Sequence, residues 1–575
     1  MNFKLLKTLI ILIYLPFLAG AQFTPLDTAR FGKVIDVPID LSGTFGELRT
    51  NHFHSGIDIR TNQQEGYPVY AAADGYVYRI KVSAWGFGNA LYLKHANGYI
   101  TVYGHLQLFN DSITARLRRY QYKKQSFEAE FKLPANAIKV KKGDIIGYSG
   151  NTGMSGGPHL HFEVRRLKKE IPLNPMKFGF MPFDTLKPVI EYFMVYPELK
   201  KGIVNGQSFP MNYRVENRGS KNVLVSSGEI EVSGDVSFGI SSYDIMGNGD
   251  NRNGLYNVEI WVDSLLLNSY CFDYFSFSES RYVNAFIDYK WWMRTGERIQ
   301  RSKILSSNPM EMFKMYSNRG VYNFNKPGTY NIRYIISDYT GNTSELNVPV
   351  VCKQSYTADT TTTQYGLDHF YWQKENCFAN HEVEIHLPKE ALFEDIDFEY
   401  ATNGEKEGYY SLIHQIHKDD IPLNKPILLA IRCDSVPEKL QSKLLIVDIN
   451  PFRIQSEGGY YDHGFVKTNV RNFGTFAISI DTIAPQINPV DIQDNGVIPA
   501  SNCIQFNVSD NLSGIGKYKA VLNGKWNLME FDGKSGTMTC ILKKENLKEV
   551  NQLVVTVEDA KQNSQTVILT LKINK

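Results

Sequence analysis

Between residues 30 and about 180 the chain is cut into short alternating apolar runs by turn dipeptides, a pattern that favours antiparallel β-sheet. Pro68 to Ile80 (PVYAAADGYVYRI) holds Asp74-Gly75 between two such runs, and Ala90 to Leu106 (ALYLKHANGYITVYGHL) holds Asn97-Gly98. Both predict hairpins. Val140 to Gly150 (VKKGDIIGYSG) predicts a third β-turn-β unit, bent at Gly143-Asp144. Gln107 to Lys139 interrupts the series. Within it Ile113, Leu117 and Tyr120 fall at helical spacing over Asp111 to Lys124, with Arg116, Arg118 and Arg119 beside them. Such an insertion reads as a solvated surface element, or at most as the wall of a cleft.

At 575 residues the chain is too long for one hydrophobic core. Strand patterning continues after Pro188, and aromatic residues at 13% fit a mainly β chain. Two segments share an ending, Ile336 to Ser344 (ISDYTGNTS) and Val557 to Gln565 (VEDAKQNSQ), each with Asp followed by Asn four residues later. They resemble the last hairpin of bacterial immunoglobulin-like domains. Asp481 to Ile487 (DTIAPQI) resembles the opening strand of such a domain, and Asn507 to Ile515 its early loop. Thr360 to Thr363 marks a linker. These features predict a domain over 22–187, then Ig-like β-sandwiches over 190–355 and 484–575, with a β-rich domain over 365–480.

The N-terminus predicts export. Its basic start MNFKLLK, the apolar run Thr8 to Leu18 and the small residues Ala19-Gly20-Ala21 read as a signal peptide over residues 1–21. The run is short for a membrane span, and no later segment predicts one, so the processed protein is expected in the periplasm or outside the cell. Lys+Arg total 62 against 60 Asp+Glu, and removing Lys4 and Lys7 leaves 60 against 60. This balance gives no electrostatic case for nucleic-acid binding. Six cysteines, none in a C-x-x-C pair, fall two per β-domain. Neighbour pairing (Cys271 with Cys352, Cys377 with Cys433, Cys503 with Cys540) and free buried thiols are both open readings.

The chemistry is concentrated near the start. Six of the 12 histidines lie between His52 and His161. His159-Leu160-His161-Phe162-Glu163-Val164 alternates strictly, so on a strand the two imidazoles share one face while Leu160, Phe162 and Val164 enter the core. Two buried imidazoles on one face call for a partner, and a metal supplies one. His54 and Asp58, with Gly56 between them, add zinc-type donors. Two His and one Asp match the catalytic zinc pattern, which keeps a fourth position for a water whose pKa zinc lowers to roughly 7. His105 and His159 are then free to handle protons or an oxyanion. His52 and His95 read as structural, and Glu163 either orients a ligand or sits at the rim.

His54 to Asp58 (HSGID), Tyr103 to Leu106 (YGHL) and Lys141 to Val164 (KKGDIIGYSGNTGMSGGPHLHFEV) resemble the lysostaphin/LytM-type zinc endopeptidases that cut peptidoglycan cross-links. Ser42 to Arg49 (SGTFGELR) also resembles their opening turn. The likeness covers roughly residues 35–175. It implies His54, Asp58 and His161 as zinc ligands and His105 and His159 as the catalytic pair, with His159 the base and His105 stabilising the tetrahedral intermediate. It implies a peptidoglycan peptide as substrate, leaving the later β-domains to position the enzyme or bind a protein or glycan. Some relatives lose these positions and act only as wall-binding or amidase-activating scaffolds, the alternative reading here. Two other segments read as bland. His381 to His386 (HEVEIH) is one residue too long for H-E-x-x-H and alternates like a strand. Gly247 to Gly254 (GNGDNRNG), following Asp244, lacks EF-hand acidic spacing and reads as an ordinary loop.

Overall fold

A computed structural model of the chain describes residues 31–573 apart from 220, 226–227, 248–250, 355–367, 405, 435, 451–452 and 491. The expected leader and the Thr360 to Thr363 linker lie outside the described residues, as does part of the Gly247 to Gly254 loop. The fold is mainly β, and among the described residues the longest helix is Asp111–Lys124. No helix among them is long and apolar enough to cross a membrane.

The N-terminal domain centres on a nine-stranded sheet. One of its interior strands is His159–Arg166, whose Leu160, Phe162 and Val164 are fully buried in the core as the alternation predicts. Each such side chain contributes about 1.5–3 kcal/mol. Ile57–Arg60 pairs with it on one side and Tyr99–Gly104 on the other, both antiparallel. This register sets His161 directly opposite Asp58 and Gly104, which is how residues a hundred positions apart in sequence come to share one face. A smaller sheet of Pro68–Tyr70, Ile145–Tyr148 and Leu108–Phe109 closes the domain.

Only one of the three expected hairpins forms. Asn89–His95 and Tyr99–Gly104 pair around Asn97-Gly98. The runs on either side of Asp74-Gly75 belong to different sheets, Pro68–Tyr70 pairing with Ile145–Tyr148 and Gly75–Val82 with Asn89–His95. Lys139–Val140 and Ile145–Tyr148 are likewise split between the two sheets. A turn dipeptide reverses the chain, but burial decides which neighbour each strand joins. The insertion forms the expected helix, capped by the Asn110 side chain and buried along Ile113 and Leu117. Its outer face is not simply solvated: Arg118 pairs with Glu530 at 2.7 Å and Tyr122 meets Trp526 edge-on, both in the last domain.

Strands from Val189–Val204 to Thr343–Cys352 form one continuous eleven-stranded sheet folded around a shared core, rather than two separate sheets. The strand Met211–Arg218 joins the halves: Met211 to Arg214 pair with Tyr192 to Val195, and Val215 to Arg218 with Lys221–Leu224. This is the corner by which a strand passes between layers. Phe45 and Phe53 of the N-terminal domain enter the same core, where Phe53 meets Phe272, Phe275 and Phe286. Next come two five-stranded sheets over a core that includes Leu444, Ile446, Phe473 and Phe476. The last domain is a pair of four-stranded sheets enclosing Phe506, Met538 and Val555.

All six cysteines are free thiols. Cys503 lies opposite Ile541 and Cys540 opposite Ile504, a one-residue offset that sends the two sulfurs to opposite faces. Cys271 and Cys352 sit on strands separated by two others, beyond disulfide reach.

Candidate metal centre and active site

The five expected site residues converge. His54 Nε2, His161 Nδ1 and Asp58 Oδ1 form a triangle with sides of 3.1, 2.8 and 3.1 Å. A tetrahedral ion with bonds of about 2.0 Å has faces close to this size. The donor chemistry fits zinc as well, and all three residues are buried. Each ring is set by its other nitrogen. His54 Nδ1 donates to the Thr44 carbonyl at 2.8 Å, leaving Nε2 to face the site. His161 Nε2 lies 3.0 Å from Glu163 Oε1, which turns Nδ1 inward. Burial lowers the His161 pKa, but hydrogen bonds to Asp58 and Glu163 outweigh it and raise it to about 8. Burial opposes ionisation of Asp58, yet the surrounding histidines hold its carboxyl well below the usual range.

His159 and His105 stand beside this triangle. His159 Nε2 lies 3.4 Å from Asp58 Oδ1, and its Nδ1 donates to the Gly157 carbonyl at 2.8 Å. His105 Nδ1 donates to the Thr152 carbonyl at 2.8 Å, and its ring centroid is 4.8 Å from that of His159. In each ring Nδ1–H is engaged by a main-chain carbonyl, which leaves Nε2 as the nitrogen available to the site. His105 adopts the left-handed conformation (φ 58°) at the end of its strand, a strained geometry characteristic of functional positions. Burial and the charges of His161 and His159 push its pKa down to about 3.

Glu163 lies behind His161, fully buried and paired with Arg165, and not at the rim. Ser55 Oγ donates to it at 2.5 Å. Arg165 and His161 outweigh burial and lower its pKa to about 2. A carboxylate so placed fixes the ring orientation and strengthens the ligand. Glu163→Gln is expected to weaken zinc binding roughly ten- to hundredfold with the fold intact. Competition against a chromogenic chelator measures this, and unchanged affinity would exclude the orienting role. His95 is structural, held by the Asp74 carbonyl and Thr101. His52 is exposed and bonds only to the Thr50 carbonyl, because the chain leaves the strand before His54 turns inward.

Arg49 carried no role in the sequence reading. Its Nη2 meets Asp58 Oδ2 at 2.6 Å, so one carboxylate oxygen faces the histidines while a cation holds the other. Its position in SGTFGELR was visible, but its partner depends on folding. The cleft has a volume of about 520 Å³ and is walled by Arg60, Gln63, Met154 to Pro158 and, from the second domain, Asn251. Lys534 of the last domain reaches across to the carbonyls of Asn151 and Ser155 on the same glycine-rich wall.

A β-sheet domain that gathers three metal-type donors and two free imidazoles in one cleft has the site of a metallohydrolase. Residues 52–118 and 133–175 match Peptidase family M23, so the N-terminal domain is an M23 peptidase domain. The gap at 119–132 falls within the helical insertion. Residues 367–481 match a Zu5-like domain. The chain is 36% identical over 129 residues to the DD-carboxypeptidase/endopeptidase Mpg of Neisseria meningitidis, covering 22% of this chain and 23% of that protein. It is 33% identical over 140 residues to the peptidoglycan DD-endopeptidase ShyC of Vibrio cholerae, covering 24% of this chain and 25% of that protein. The chain thus spans about a quarter of the length of these curated relatives. The catalytic domain of lysostaphin from Staphylococcus simulans is 27% identical, with 24% of this chain and 87% of that chain covered and a TM-score of 0.18.

Proposed function

We propose that the protein is an exported zinc metalloendopeptidase that hydrolyses peptide cross-links or stem peptides of peptidoglycan. The observation that carries this reading is the triangle of His54 Nε2, His161 Nδ1 and Asp58 Oδ1, with His159 Nε2 and the His105 ring beside it. His54, Asp58 and His161 would hold zinc, which supplies Lewis acidity and an acidified water. His159 and His105, anchored through Nδ1 to main-chain carbonyls, accept a proton at Nε2 and return it to the leaving amine. The same imidazoles, once protonated, donate to the oxyanion of the tetrahedral intermediate. Glycine-rich backbone at Gly156 and Gly157 keeps that wall low and suits an extended peptide. Relatives named as DD-endopeptidases point to a D,D cross-link as the bond. The later β-domains would position the cleft on the wall.

Incubation of the purified protein with sacculi, followed by mass spectrometry of the soluble fragments, tests this. Cross-linked muropeptides are expected to fall and monomeric ones to rise, with the effect lost on chelation and regained with zinc. An unchanged muropeptide profile with zinc-loaded protein would favour the scaffold reading instead.

A further inference from the structure

Two nodes of three aspartates lie outside the cleft, in two different domains. One oxygen from each of Asp184, Asp244 and Asp338 lies within 4.8 Å of the other two, and the same holds for Asp481, Asp510 and Asp559. Their surroundings correspond. Asp184 opens the segment Asp-Thr-Leu-Lys-Pro and Asp481 the segment Asp-Thr-Ile-Ala-Pro. Asn342 Nδ2 donates to Asp338 Oδ2 at 2.6 Å and reaches the Asp184 carbonyl at 3.4 Å. Asn563 Nδ2 donates to Asp559 Oδ2 at 2.6 Å and to the Asp481 carbonyl at 3.0 Å. The repeated Asp…Asn ending seen in the sequence is therefore the frame of a three-carboxylate node.

The nodes differ in how their charge is met. In the last domain both Asp481 oxygens accept main-chain N–H groups, from Ile483 and Ser513, and Asp510 Oδ2 accepts two more, from Leu512 and Gly514, which leaves Asp510 Oδ1 without a donor. The buried Lys561 is close enough for Asp481 and Asp559 to act on its charge. Two residues after Asp338 the matching position is Thr340. Asp244 is fully buried, and neither of its oxygens has a donor in hydrogen-bonding geometry, nor does Asp184 Oδ2; the adjacent Ile245 N–H eases the Asp244 charge without completing such a bond. Asn253, only 2% exposed, pairs with Asp244 through two main-chain hydrogen bonds of 2.9 Å, so the two side chains leave one face. Its Oδ1 is without a donor too. Burial and the charges of Asp338 and Asp184 push Asp244 up to about 8, a measure of the crowding.

We propose that Asp184, Asp244 and Asp338, with the Asn253 side-chain oxygen, bind a calcium ion. The donors are all hard oxygens drawn from separate segments, and calcium accepts such irregular sets of about six to eight oxygens, where magnesium demands a near-ideal octahedron. Asp244 precedes the Gly247 to Gly254 segment and Asn253 lies near its end, so the ion sits where the chain enters and leaves it. The position also couples to the cleft. Gly254 N donates to Thr44 Oγ1 at 2.9 Å, and Thr44 supplies the carbonyl that orients His54. Asn251 donates to the Ser42 carbonyl at 3.1 Å. An ion clamping Asp244 to Asn253 thus steadies the segment on which that anchor rests.

Calorimetric titration of the full chain with calcium, after chelator treatment, removal of the chelator and re-addition of one equivalent of zinc, is the test, with thermal unfolding in parallel. One calcium per chain and a raised unfolding midpoint are expected. Asp244→Asn should lose the binding, Thr340→Lys should weaken it by roughly tenfold or more, and Asp510→Asn should leave it unchanged. Far-UV circular dichroism and a cooperative unfolding transition report that each variant is folded. Absence of both heat and midpoint shift in the wild type overturns the proposal, as does wild-type binding by a folded Asp244→Asn or Thr340→Lys protein, or loss of binding in a folded Asp510→Asn protein. An equal response to magnesium overturns the choice of ion.

Discussion

His161→Ala is expected to yield protein without stoichiometric zinc and without measurable release of peptides from sacculi. His161 Nδ1 is one corner of a three-donor triangle, so its loss leaves His54 and Asp58 alone. Two donors do not fix a tetrahedral ion, and the Asp58 carboxylate would still be drawn toward Arg49. The change also removes a buried ring stacked on Phe87 at 4.7 Å, and the resulting cavity costs about 2–4 kcal/mol in its own right. Unfolding curves must therefore accompany the metal analysis. His161→Gln, which refills most of the space without an imidazole, separates the two effects: it too should lack zinc while unfolding nearer the wild type. Retention of one zinc per chain by either folded variant would contradict the ligand assignment.

The legible parts of this centre were those set by local periodicity. Alternation in His159 to Val164 placed two imidazoles on one face and three apolar side chains beneath, and the structure has that arrangement. The helical spacing of Ile113 and Leu117 likewise marked a real helix. Contacts between distant segments were not legible. The Asp74-Gly75 turn gave no sign that its flanking strands join different sheets, since partner choice depends on the whole core. Glu163 was ambiguous and Arg49 passed without a role for the same reason: a charged side chain shows its role only when its partner is known. Cysteine spacing misled in the last domain, where the strand register, invisible from sequence, puts the two sulfurs on opposite faces. The insertion could not show its contacts with Glu530 and Trp526, more than four hundred residues later.

Alanine at His159 or His105 should have the opposite signature to His161→Ala, with zinc retained and turnover lost. Neither ring belongs to the donor triangle, so metal analysis should still give one zinc per chain. Each removes a proton-transfer group, and such groups contribute about 10²–10⁴-fold to rate. The two rings are anchored alike, because both spend Nδ1–H on a main-chain carbonyl and have Nε2 left for the reaction. His105, held neutral by burial and its histidine neighbours, can serve an oxyanion only after it has gained a proton. The two rings, with centroids 4.8 Å apart, are thus expected to act within one step. The double variant should then lose little more than the worse single one, as groups acting as a unit do. Single-turnover rates on purified cross-linked muropeptides decide it. A wild-type rate for His159→Ala would remove it as the base, and losses that multiply in the double variant would mean that the two histidines act in separate steps.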